Sequence, residues 1–542
     1  MFQAFSLKSV EIRRRKARVL CILVALSGGA LGAMAQGPLN QGLPANPAFV
    51  IRGFDITGDN PLPQDETTRI LAPFLRTNAT IDTLQQATAA LESALKGRGY
   101  GLHRVALPPQ EVGAKVTLNV VKFVIGKVTV EGLSRLSESN VRASVPELVE
   151  GAAPNLQTLA LQAALANENE GKKIQVSLKE SEEADKIDVK IVVKEERPWS
   201  VSASLSNTGS DSTGKHRLTL VGGHSNLFDK DHQLTAAYTT SPERMRDVRQ
   251  WGLNYRIPLY RQGAVFGLST TRSNVIGNFG AFSSTGAGQT VGLNYSHYFA
   301  PVGGRRSYLT ASVDDKRFDA GQINGIEVPG QLMRRSRPIS MGYSTRIESD
   351  TAVWAYNVDL AANLQGGAGN NLLVYQTEDG RVSTARWKAV RGGGSYLGSL
   401  GSGWLWGVRG QFQYSPDALI SGEQFGLGGA ASVRGTGERP IAGDSGLQTS
   451  AELSSPELHI GLRVLGFFDA GWLANNNDNG NPKPGSDSLA SVGLGLRYVA
   501  GAYGVTADWA RIVRGSVLPF AAGSGLPQAG DQKVHFNFSA RF

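Results

Sequence analysis

The larger, C-terminal part of the chain, residues 199–542, consists of short runs in which apolar and polar residues alternate, with turn-forming residues between the runs. A period of two is that of a β-strand whose two faces lie in different environments. The region has room for sixteen strands of roughly 9 to 11 residues with their connections, the strand length that crosses a bilayer at a tilt. The strands are predicted to begin near Trp199, Lys215, His232, Gln250, Ala264, Gly288, Arg305, Arg337, Thr351, Ala385, Gly403, Gly446, Gly461, Ser488, Gly504 and Val534.

The connections between these runs alternate in length. Those that leave even-numbered strands are short, such as residues 301–304, 348–350 and 500–503, whereas most of those that leave odd-numbered strands are longer. This asymmetry is typical of a transmembrane β-barrel that has its turns in the periplasm and its long loops outside the cell. The sequence therefore predicts an all-β transmembrane domain over residues 198–542.

The last run ends the chain on an aromatic residue. One face of this strand is apolar and the other is polar; the apolar face comprises Val534, Phe536, Phe538, Ala540 and Phe542. A soluble β-sandwich would also alternate in this way, but it would seldom end on an unprotected aromatic carboxy terminus. A final Phe on such a strand resembles the signal by which outer-membrane barrels are recognised for assembly. That resemblance implies that Phe536, Phe538 and Phe542 form a barrel assembly signal and that the barrel assembly machinery is a partner during biogenesis.

The N-terminus, residues 1–35, has the pattern of a secretory signal peptide. Six basic residues precede the apolar run 19–25, and Ala33-Met34-Ala35 offers a small-x-small cleavage site. An inner-membrane anchor is the alternative, but the apolar run gives way to Ser27-Gly28-Gly29 too early to span a bilayer. Cleavage would also remove Cys21, the only cysteine, so no disulfide is expected in the mature chain.

The net charge gives no sign of a nucleic-acid-binding protein. The formal charge is +9, and the six cations and single acid of the presequence account for five of those positive charges. The small remainder is too low for an electrostatic footprint on nucleic acid, so no nucleic-acid partner is expected.

Between the presequence and the barrel, the sequence predicts two small α+β units after a Gly/Pro/Asn linker at residues 36–48. The first unit, 49–122, contains a helix that Thr80 can cap and Gly97 can end, with apolar residues at spacings of three and four. The second unit, 123–197, repeats the plan, since residues 123–132 resemble residues 49–58. Two unrelated α+β domains remain the alternative interpretation.

A family resemblance favours the repeat. Residues 91–126, with Gly97-Arg98-Gly99-Tyr100 and Leu107-Pro108-Pro109-Gln110, resemble the first polypeptide-transport-associated (POTRA) domain of the two-partner secretion transporters. These are the hemolysin activation/secretion proteins of the ShlB/FhaC/HecB type, also called the TpsB family. The resemblance covers the mature chain almost end to end, and it implies two tandem POTRA domains, 49–122 and 123–197, followed by a sixteen-stranded barrel.

Two motifs in the barrel region carry the resemblance further. Val433-Arg434-Gly435 lies in a long glycine-rich loop at about 417–446, and Phe467-x-Asp469-x-Gly471 places a lone carboxylate inside an apolar strand. A buried acid requires a cation, and a bidentate arginine–carboxylate pair supplies geometry as well as energy. Together the motifs resemble the two signatures of the superfamily that joins TpsB transporters to the BamA-type barrel insertases.

In that superfamily the loop after the eleventh strand folds back into the barrel, and its arginine pairs with the aspartate on the inner wall. The resemblance therefore implies that Arg434 pairs with Asp469 in the lumen, and strand parity then turns Phe468, Ala470 and Trp472 towards lipid. Two departures stand out. Thr436 replaces the aromatic that usually follows Val-Arg-Gly, which predicts a less tightly held loop tip. Residues 36–48 are too short and too rich in Gly and Pro for the pore-lining helix that several relatives carry.

The sequence offers no catalytic or cofactor-binding constellation. The seven histidines include no His-Glu-x-x-His, and no Gly-Lys pair is followed by Ser or Thr, so neither a zinc-protease site nor a phosphate-binding P-loop is predicted. We therefore expect no metal, no cofactor and no enzyme activity.

The resemblance implies an outer-membrane translocator that binds an unfolded partner exoprotein through its POTRA domains and exports it through the barrel, without nucleotide hydrolysis. The expected cargo is a large TpsA-like protein, a β-helical adhesin or hemolysin, and the expected surroundings are the lipid bilayer and lipopolysaccharide. A sixteen-stranded barrel also leaves an aqueous lumen, so porin activity is expected. The alternatives are a BamA-type insertase and, less favoured, a diffusion porin or an outer-membrane enzyme.

Overall fold

The computed structural model describes residues 48–111, 113–320, 322–323, 326–327, 330–480, 482–519 and 525–542. The predicted signal peptide, 1–35, and residues 36–47 of the predicted linker lie outside these residues. Within them, contacts divide the chain into two compact units: one runs up to Leu95 and includes Arg104–Val121, and the other contains Lys96–His103 and Lys122–Phe542.

The first α+β domain is built on a three-stranded sheet of order β1-β3-β2, in which β1 and β3 are parallel. Its elements are β1 (Gly53–Gly58), α1 (Gln64–Leu71), a 3₁₀ turn (Ala72–Phe74), α2 (Ile81–Gly97), β2 (His103–Ala106) and β3 (Lys115–Lys122). The core combines the buried face of α2, with Leu84, Leu91 and Leu95, and the buried side chains of β3, with Leu118 and Val120. The spacing of three and four along α2 is what places its leucines on one face.

The second α+β domain repeats this arrangement with a sheet of order β4-β6-β5. Its elements are β4 (Val124–Glu131), α3 (Glu138–Ser144), α4 (Leu156–Ala166), β5 (Lys172–Glu180) and β6 (Lys186–Glu195). Both helices begin at side-chain caps: Ser137 accepts from the Asn140 N–H, and Asn155 accepts from Gln157 N–H and Thr158 N–H. In this sheet β4 runs parallel to β6, whereas β5 runs antiparallel to it.

The barrel wall is formed by antiparallel strands that close on themselves, because β29 pairs with β7. The elements in chain order are β7 (Trp199–Ser206), β8 (Arg217–Leu227), β9 (His232–Thr240), β10 (Gln250–Leu259), a 3₁₀ turn (Tyr260–Gln262), β11 (Ala264–Ser273), β12 (Gly277–Phe279), β13 (Phe282–Ser284), β14 (Gly288–Tyr298), β15 (Arg305–Phe318), β16 (Gln322–Ile323), β17 (Ile326–Glu327), β18 (Arg334–Ser336), β19 (Pro338–Glu348), β20 (Ala352–Asn363), α5 (Leu372–Gln376), β21 (Lys388–Gly401), β22 (Trp404–Tyr414), β23 (Phe425–Leu427), β24 (Ile441–Gly443), β25 (Ser445–Ser454), β26 (Leu462–Ala474), β27 (Ser486–Ala500), β28 (Tyr503–Arg514) and β29 (Gln532–Arg541).

The predicted fold class is confirmed: two tandem POTRA domains precede a closed barrel of sixteen wall strands. The pairs β12/β13, β16/β17 and β23/β24 are small hairpins in the loops of the described region, and β18 extends β19, since both pair with β15. The predicted strand starts are close to the observed ones, with the largest difference at Ala385, where β21 begins at Lys388. The helix α1 was not predicted.

The two faces of the wall differ as a membrane barrel requires. Large apolar side chains such as Trp354, Phe468, Trp472, Trp509 and Phe538 are exposed on the outside of the wall. An exposed apolar band of this kind is stable in a membrane, because apolar lipid and not water surrounds it. Among the described residues, none of the helices combines the length and the apolar character needed to cross a bilayer.

Candidate functional site

The longest described connection, residues 415–444 between β22 and β25, forms a hairpin that packs against the wall of the barrel. Its strands β23 and β24 pair antiparallel. Leu427 and Val433 are fully buried in an apolar cluster with Leu473 of β26 and Leu489 of β27. The loop is therefore held on the barrel wall by apolar packing in addition to its polar contacts.

Arg434, at the tip of this loop, lies directly against Asp469 of β26. The guanidinium group donates from Nε to Oδ2 and from Nη2 to Oδ1, each at 2.8 Å, and the backbone N–H of Arg434 donates to Oδ2 at 3.1 Å. The two side chains are 1% and 0% exposed. This is the bidentate geometry that gives an arginine–carboxylate pair its strength and direction.

Arg434 is also surrounded by further polar groups from two other wall strands, β25 and β28. Its Nη2 donates to Ser450 Oγ at 3.1 Å and lies 2.9 Å from Glu452 Oε1, and its Nη1 lies 3.5 Å from Asp508 Oδ2. Arg497 shares Asp508, donating to its two oxygens at 2.6 and 3.0 Å. Asp508 thus lies between two arginines, and Arg434 has carboxylates on more than one side.

Phe467 of the wall motif contacts the Arg434 guanidinium, and Gly471 of the same motif leaves room for the loop. The Arg434 guanidinium lies 3.4 Å from the centre of the Phe467 ring, a cation–π contact. Gly493 leaves room for that ring, because a Cβ there would lie 2.3 Å from Phe467 Cζ. Gly471 leaves room for the loop itself, since a Cβ there would lie 2.5 Å from Leu427 Cδ2.

The residues that follow Arg434 complete the fit of the tip. Gly435 has φ +99, a conformation that favours glycine, and its N–H donates to His535 Nε2 of β29 at 3.0 Å. Thr436 is buried, and its hydroxyl accepts from Gly429 N–H at 2.8 Å and lies 3.2 Å from the Val433 carbonyl. Where relatives are expected to carry an aromatic, this chain therefore closes the tip with hydrogen bonds inside the loop.

The outer end of the loop is held by a second buried ion pair. Asp444 accepts from Arg381 Nη1 at 3.0 Å, from Leu419 N–H at 2.9 Å and from Asn476 N–H at 2.9 Å. Arg381 belongs to the outer loop 364–387, which contains α5. Asp444 therefore ties three loops together at the end of the infolded hairpin.

Glu423 anchors the same end of the loop to the opposite part of the wall. It lies 3.2 Å from Lys316 Nζ, accepts from Arg391 Nη2 at 2.9 Å and accepts from Ser336 Oγ at 2.9 Å. Lys316, Ser336 and Arg391 belong to β15, β18 and β21. The loop is therefore fastened on both sides of the barrel interior, at Glu423 and at Arg434.

The structure brings the six motif residues Val433, Arg434, Gly435, Phe467, Asp469 and Gly471 into one region, and it turns Phe468 and Trp472 to the outside. Sequence reasoning missed Glu452, Asp508 and His535. A signal for Asp508 was present, because it is a lone carboxylate between Ala507 and Trp509, the same pattern that singled out Asp469.

The C-terminal aromatics lie at the seam that closes the barrel. Phe538 and Phe542 are exposed, and the Phe542 N–H donates to the Val201 carbonyl at 2.9 Å. The β29–β7 register covers Asn537 to Arg541, and beyond it the Asn207 side chain accepts from Phe536 N–H at 2.9 Å. The last residue of the chain thus takes part in closing the wall.

In the described part of the chain, no group of three or more His, Cys, Asp and Glu side chains is arranged to hold a metal ion. What the site can do is hold a loop inside a barrel. A closed wall, tandem POTRA domains and an anchored infolded loop define an outer-membrane transporter barrel with POTRA domains in the periplasm.

Comparison with known proteins specifies the family. Residues 185–498 match the family described as haemolysin secretion/activation protein ShlB/FhaC/HecB, and residues 49–122 match the ShlB-type POTRA domain. The first match covers more than half of the chain, so the chain belongs to this family, which is one of transporters and not of enzymes. The predicted family and the predicted outer-membrane location are confirmed.

Individual relatives agree with this assignment. The outer membrane transporter CdiB of Escherichia coli is 24% identical over 494 residues, which span 88% of this chain and 81% of that protein. The solved structure of CdiB from Escherichia coli has a TM-score of 0.71 at 20% identity, and CdiB from Acinetobacter baumannii has 0.68 at 15%; each comparison covers 93% of both chains. At these identities the structures show a common fold.

Proposed function

We propose that this protein exports a partner exoprotein by two-partner secretion: the POTRA domains bind the unfolded chain in the periplasm, and the barrel conducts it to the outside. The family assignment supports transport. The observation that carries the proposal is the infolded loop, which is anchored at its tip by the buried Arg434–Asp469 pair. A loop held inside a wide barrel by a few polar anchors can keep the lumen obstructed at rest and make way for a polypeptide.

The sheet of the second POTRA domain supports the binding step. In the described part of the chain β5 pairs with β6 on one side, and its other side is an edge of the sheet. An extended segment of cargo can add to such an edge through main-chain hydrogen bonds, which select for an unfolded chain and not for one sequence. The exposed lysines of β5, Lys173 and Lys179, are the kind of charge that keeps an edge from pairing indiscriminately.

Energy for export would come from the cargo. The sequence carries no phosphate-binding loop, and folding of a β-helical exoprotein outside the cell would make its return unfavourable. Transport would then need no nucleotide hydrolysis in this chain.

The test is secretion of the cognate exoprotein by an Arg434→Ala variant. Removing the guanidinium leaves the fully buried Asp469 without its cation, so the loop tip cannot keep its place. We expect secretion to be abolished while the heat-modifiable barrel remains in the outer membrane.

Arg409→Ala is the matched control. Arg409 is about half exposed, and its guanidinium lies 4.0 Å from the same Glu452. It should secrete normally, because an exposed pair of this kind contributes little. Normal secretion by Arg434→Ala, or equal loss in both variants, would contradict the proposed role of the loop.

A further inference from the structure

A buried polar cluster joins the second POTRA domain to the first periplasmic turn of the barrel. Lys172, the first residue of β5, donates from Nζ to Asp231 Oδ2 at 2.6 Å, to Asn140 Oδ1 at 2.7 Å and to Ser144 Oγ at 2.6 Å. All three protons of the ammonium group are thus engaged. The Lys172 and Asp231 side chains are 1% and 2% exposed.

The barrel turn that supplies Asp231 has an unusual backbone. Phe228, Asp229 and Asp231 all have positive φ, between 53 and 60 degrees, although none of them is glycine. Non-glycine residues in this region are strained and persist when their surroundings fix them. Here Asn226, near the end of β8, fixes the turn: its Oδ1 accepts from Asp231 N–H at 2.8 Å, and its Nδ2 donates to Asp229 Oδ1 at 3.0 Å.

The POTRA domain holds the same turn from the other side. Asn140 of α3 donates to the Asp229 carbonyl at 3.0 Å and to Asp231 Oδ1 at 3.2 Å, and Ser137 donates to Asp229 Oδ2. Asn169 donates to the Ser225 carbonyl at 2.8 Å. The shape of the turn and its contacts therefore suit one partner surface, that of the second POTRA domain.

A second connection of the barrel completes the cluster. Tyr260, which follows β10, donates its hydroxyl to Asp231 Oδ2 at 2.7 Å. Tyr260, with Val265 and Tyr298 of the wall, belongs to the same buried apolar cluster as Leu159 and Leu165 of α4. The core of the POTRA domain is therefore continuous with the rim of the barrel. The carboxylate of Asp231 accepts hydrogen bonds from both domains.

We propose that Lys172 and Asp231 are positioning residues for export: they fix the second POTRA domain in one orientation on the periplasmic rim, so that the cargo-binding edge of β5 begins at the barrel. This inference rests on the proposed export function. The edge starts at the locked residue itself, and β6 leads from Glu195 directly into β7 at Trp199. A chain added along β5 would thus have one end at the rim without any movement of the domain.

Burial acts to lower the pKa of the Lys172 ammonium group, and Asp231 is the main group that opposes this. Loss of Asp231 would therefore leave a cation in a site that disfavours it, and loss of Lys172 would leave a carboxylate held by Tyr260 and Asn140. Either single change should loosen the junction. The double change removes both charges and so avoids an uncompensated buried ion.

The test uses the full chain with Lys172→Met, Asp231→Asn and the double variant. In a Cys21→Ser background, spin labels at Glu182→Cys in the β5–β6 turn and at Asp350→Cys in the β19–β20 turn report the distance between POTRA domain and barrel. We expect one narrow distance distribution in the unaltered chain and a broad one in all three variants. We expect secretion of the cognate exoprotein to fall at least about tenfold.

Arg541→Gln is the matched control at the same junction. Its guanidinium lies 3.1 Å from Glu170 of the POTRA domain, but the side chains are 62% and 73% exposed. An exposed pair contributes little, so secretion should stay within roughly twofold and the distance distribution should stay narrow.

The double variant decides the case if the single variants fail to insert. If it inserts, a broad distribution with low secretion supports the proposal, and a narrow distribution or secretion within twofold of the unaltered chain overturns it. If it too fails to insert, the pair serves folding and not positioning, which also overturns the proposal. The distance measurement needs no cargo, so it stands even if Arg434→Ala contradicts the proposed function.

Discussion

Replacement of Asp469 by Asn should release the loop tip from the barrel wall more often. Asn keeps one acceptor oxygen but places an NH₂ group against a guanidinium that has only donors, so the bidentate contact at 2.8 Å is lost. The change also removes the carboxylate that lies closest to the Arg434 side chain in a fully buried site. The remaining partners, Glu452 at 2.9 Å and Asp508 at 3.5 Å, stay in place.

The size of the effect follows from those remaining partners. Breaking a buried ion pair costs about 3 to 5 kcal/mol when the surviving charge is left unpaired. Because two carboxylates still face Arg434, we expect a smaller cost, about 2 to 3 kcal/mol, for holding the tip on the wall. Each 1.4 kcal/mol changes an equilibrium constant about tenfold, so the ratio of released to anchored loop should rise roughly 30- to 150-fold.

Single-channel recording in planar bilayers measures this ratio as the time spent in the conducting state. The Asp469→Asn variant should open more often, with the current of the open state unchanged, because the barrel itself is the same. Asp359→Asn is the control: Asp359 is a partly buried carboxylate of β20 that contacts Asn357 on its own strand. If Asp469→Asn and the unaltered protein gate equally, Asp469 does not anchor the loop. If Asp469→Asn and Asp359→Asn change the gating equally, the change comes from the loss of a negative charge in the barrel and not from the loss of the anchor.

Two further predictions concern the last strand of the barrel and the obstruction of its lumen. Deleting Phe542 should lower the amount of heat-modifiable barrel in outer-membrane fractions before it alters the activity of whatever inserts, and unchanged amounts would count against the assembly signal. Deleting residues 428–445 should raise the conductance of the purified mature protein substantially, whereas removing residues 36–48 should change it little. A channel that stays silent until residues 36–48 are removed would show that these residues obstruct the pore.

Much of the fold was predictable because its pattern is local. A strand that separates lipid from lumen must alternate at every second residue, so each wall strand can be found from its own sequence. The same holds for α2, whose leucines recur at helical spacing. The helix α1 was not predicted because its eight residues are mostly polar. Only Thr67 and Leu71 are buried, which leaves too little apolar periodicity to detect.

The contacts of the loop were only partly predictable, since they join residues far apart in the chain. Arg434 and Asp469 could be paired because each stands out: a lone carboxylate in an apolar strand requires a cation, and a family resemblance named the cation. Glu452 and His535 do not stand out, as polar residues are ordinary on the lumen face of a wide barrel. Their role depends on where the loop tip lies, which no local pattern records.

The burial of Lys172 also could not be predicted from the sequence. In the sequence it is one of two adjacent lysines at the start of an edge strand, a position where a solvated, protective charge is the ordinary expectation. It is buried because the barrel turn bearing Asp231 docks on the POTRA domain at that point, 59 residues further along the chain. The packing of one domain on another thus decides whether such a charge is buried. A lysine at a sheet edge, where the sequence alone predicts a protective role, can instead fix the position of that edge.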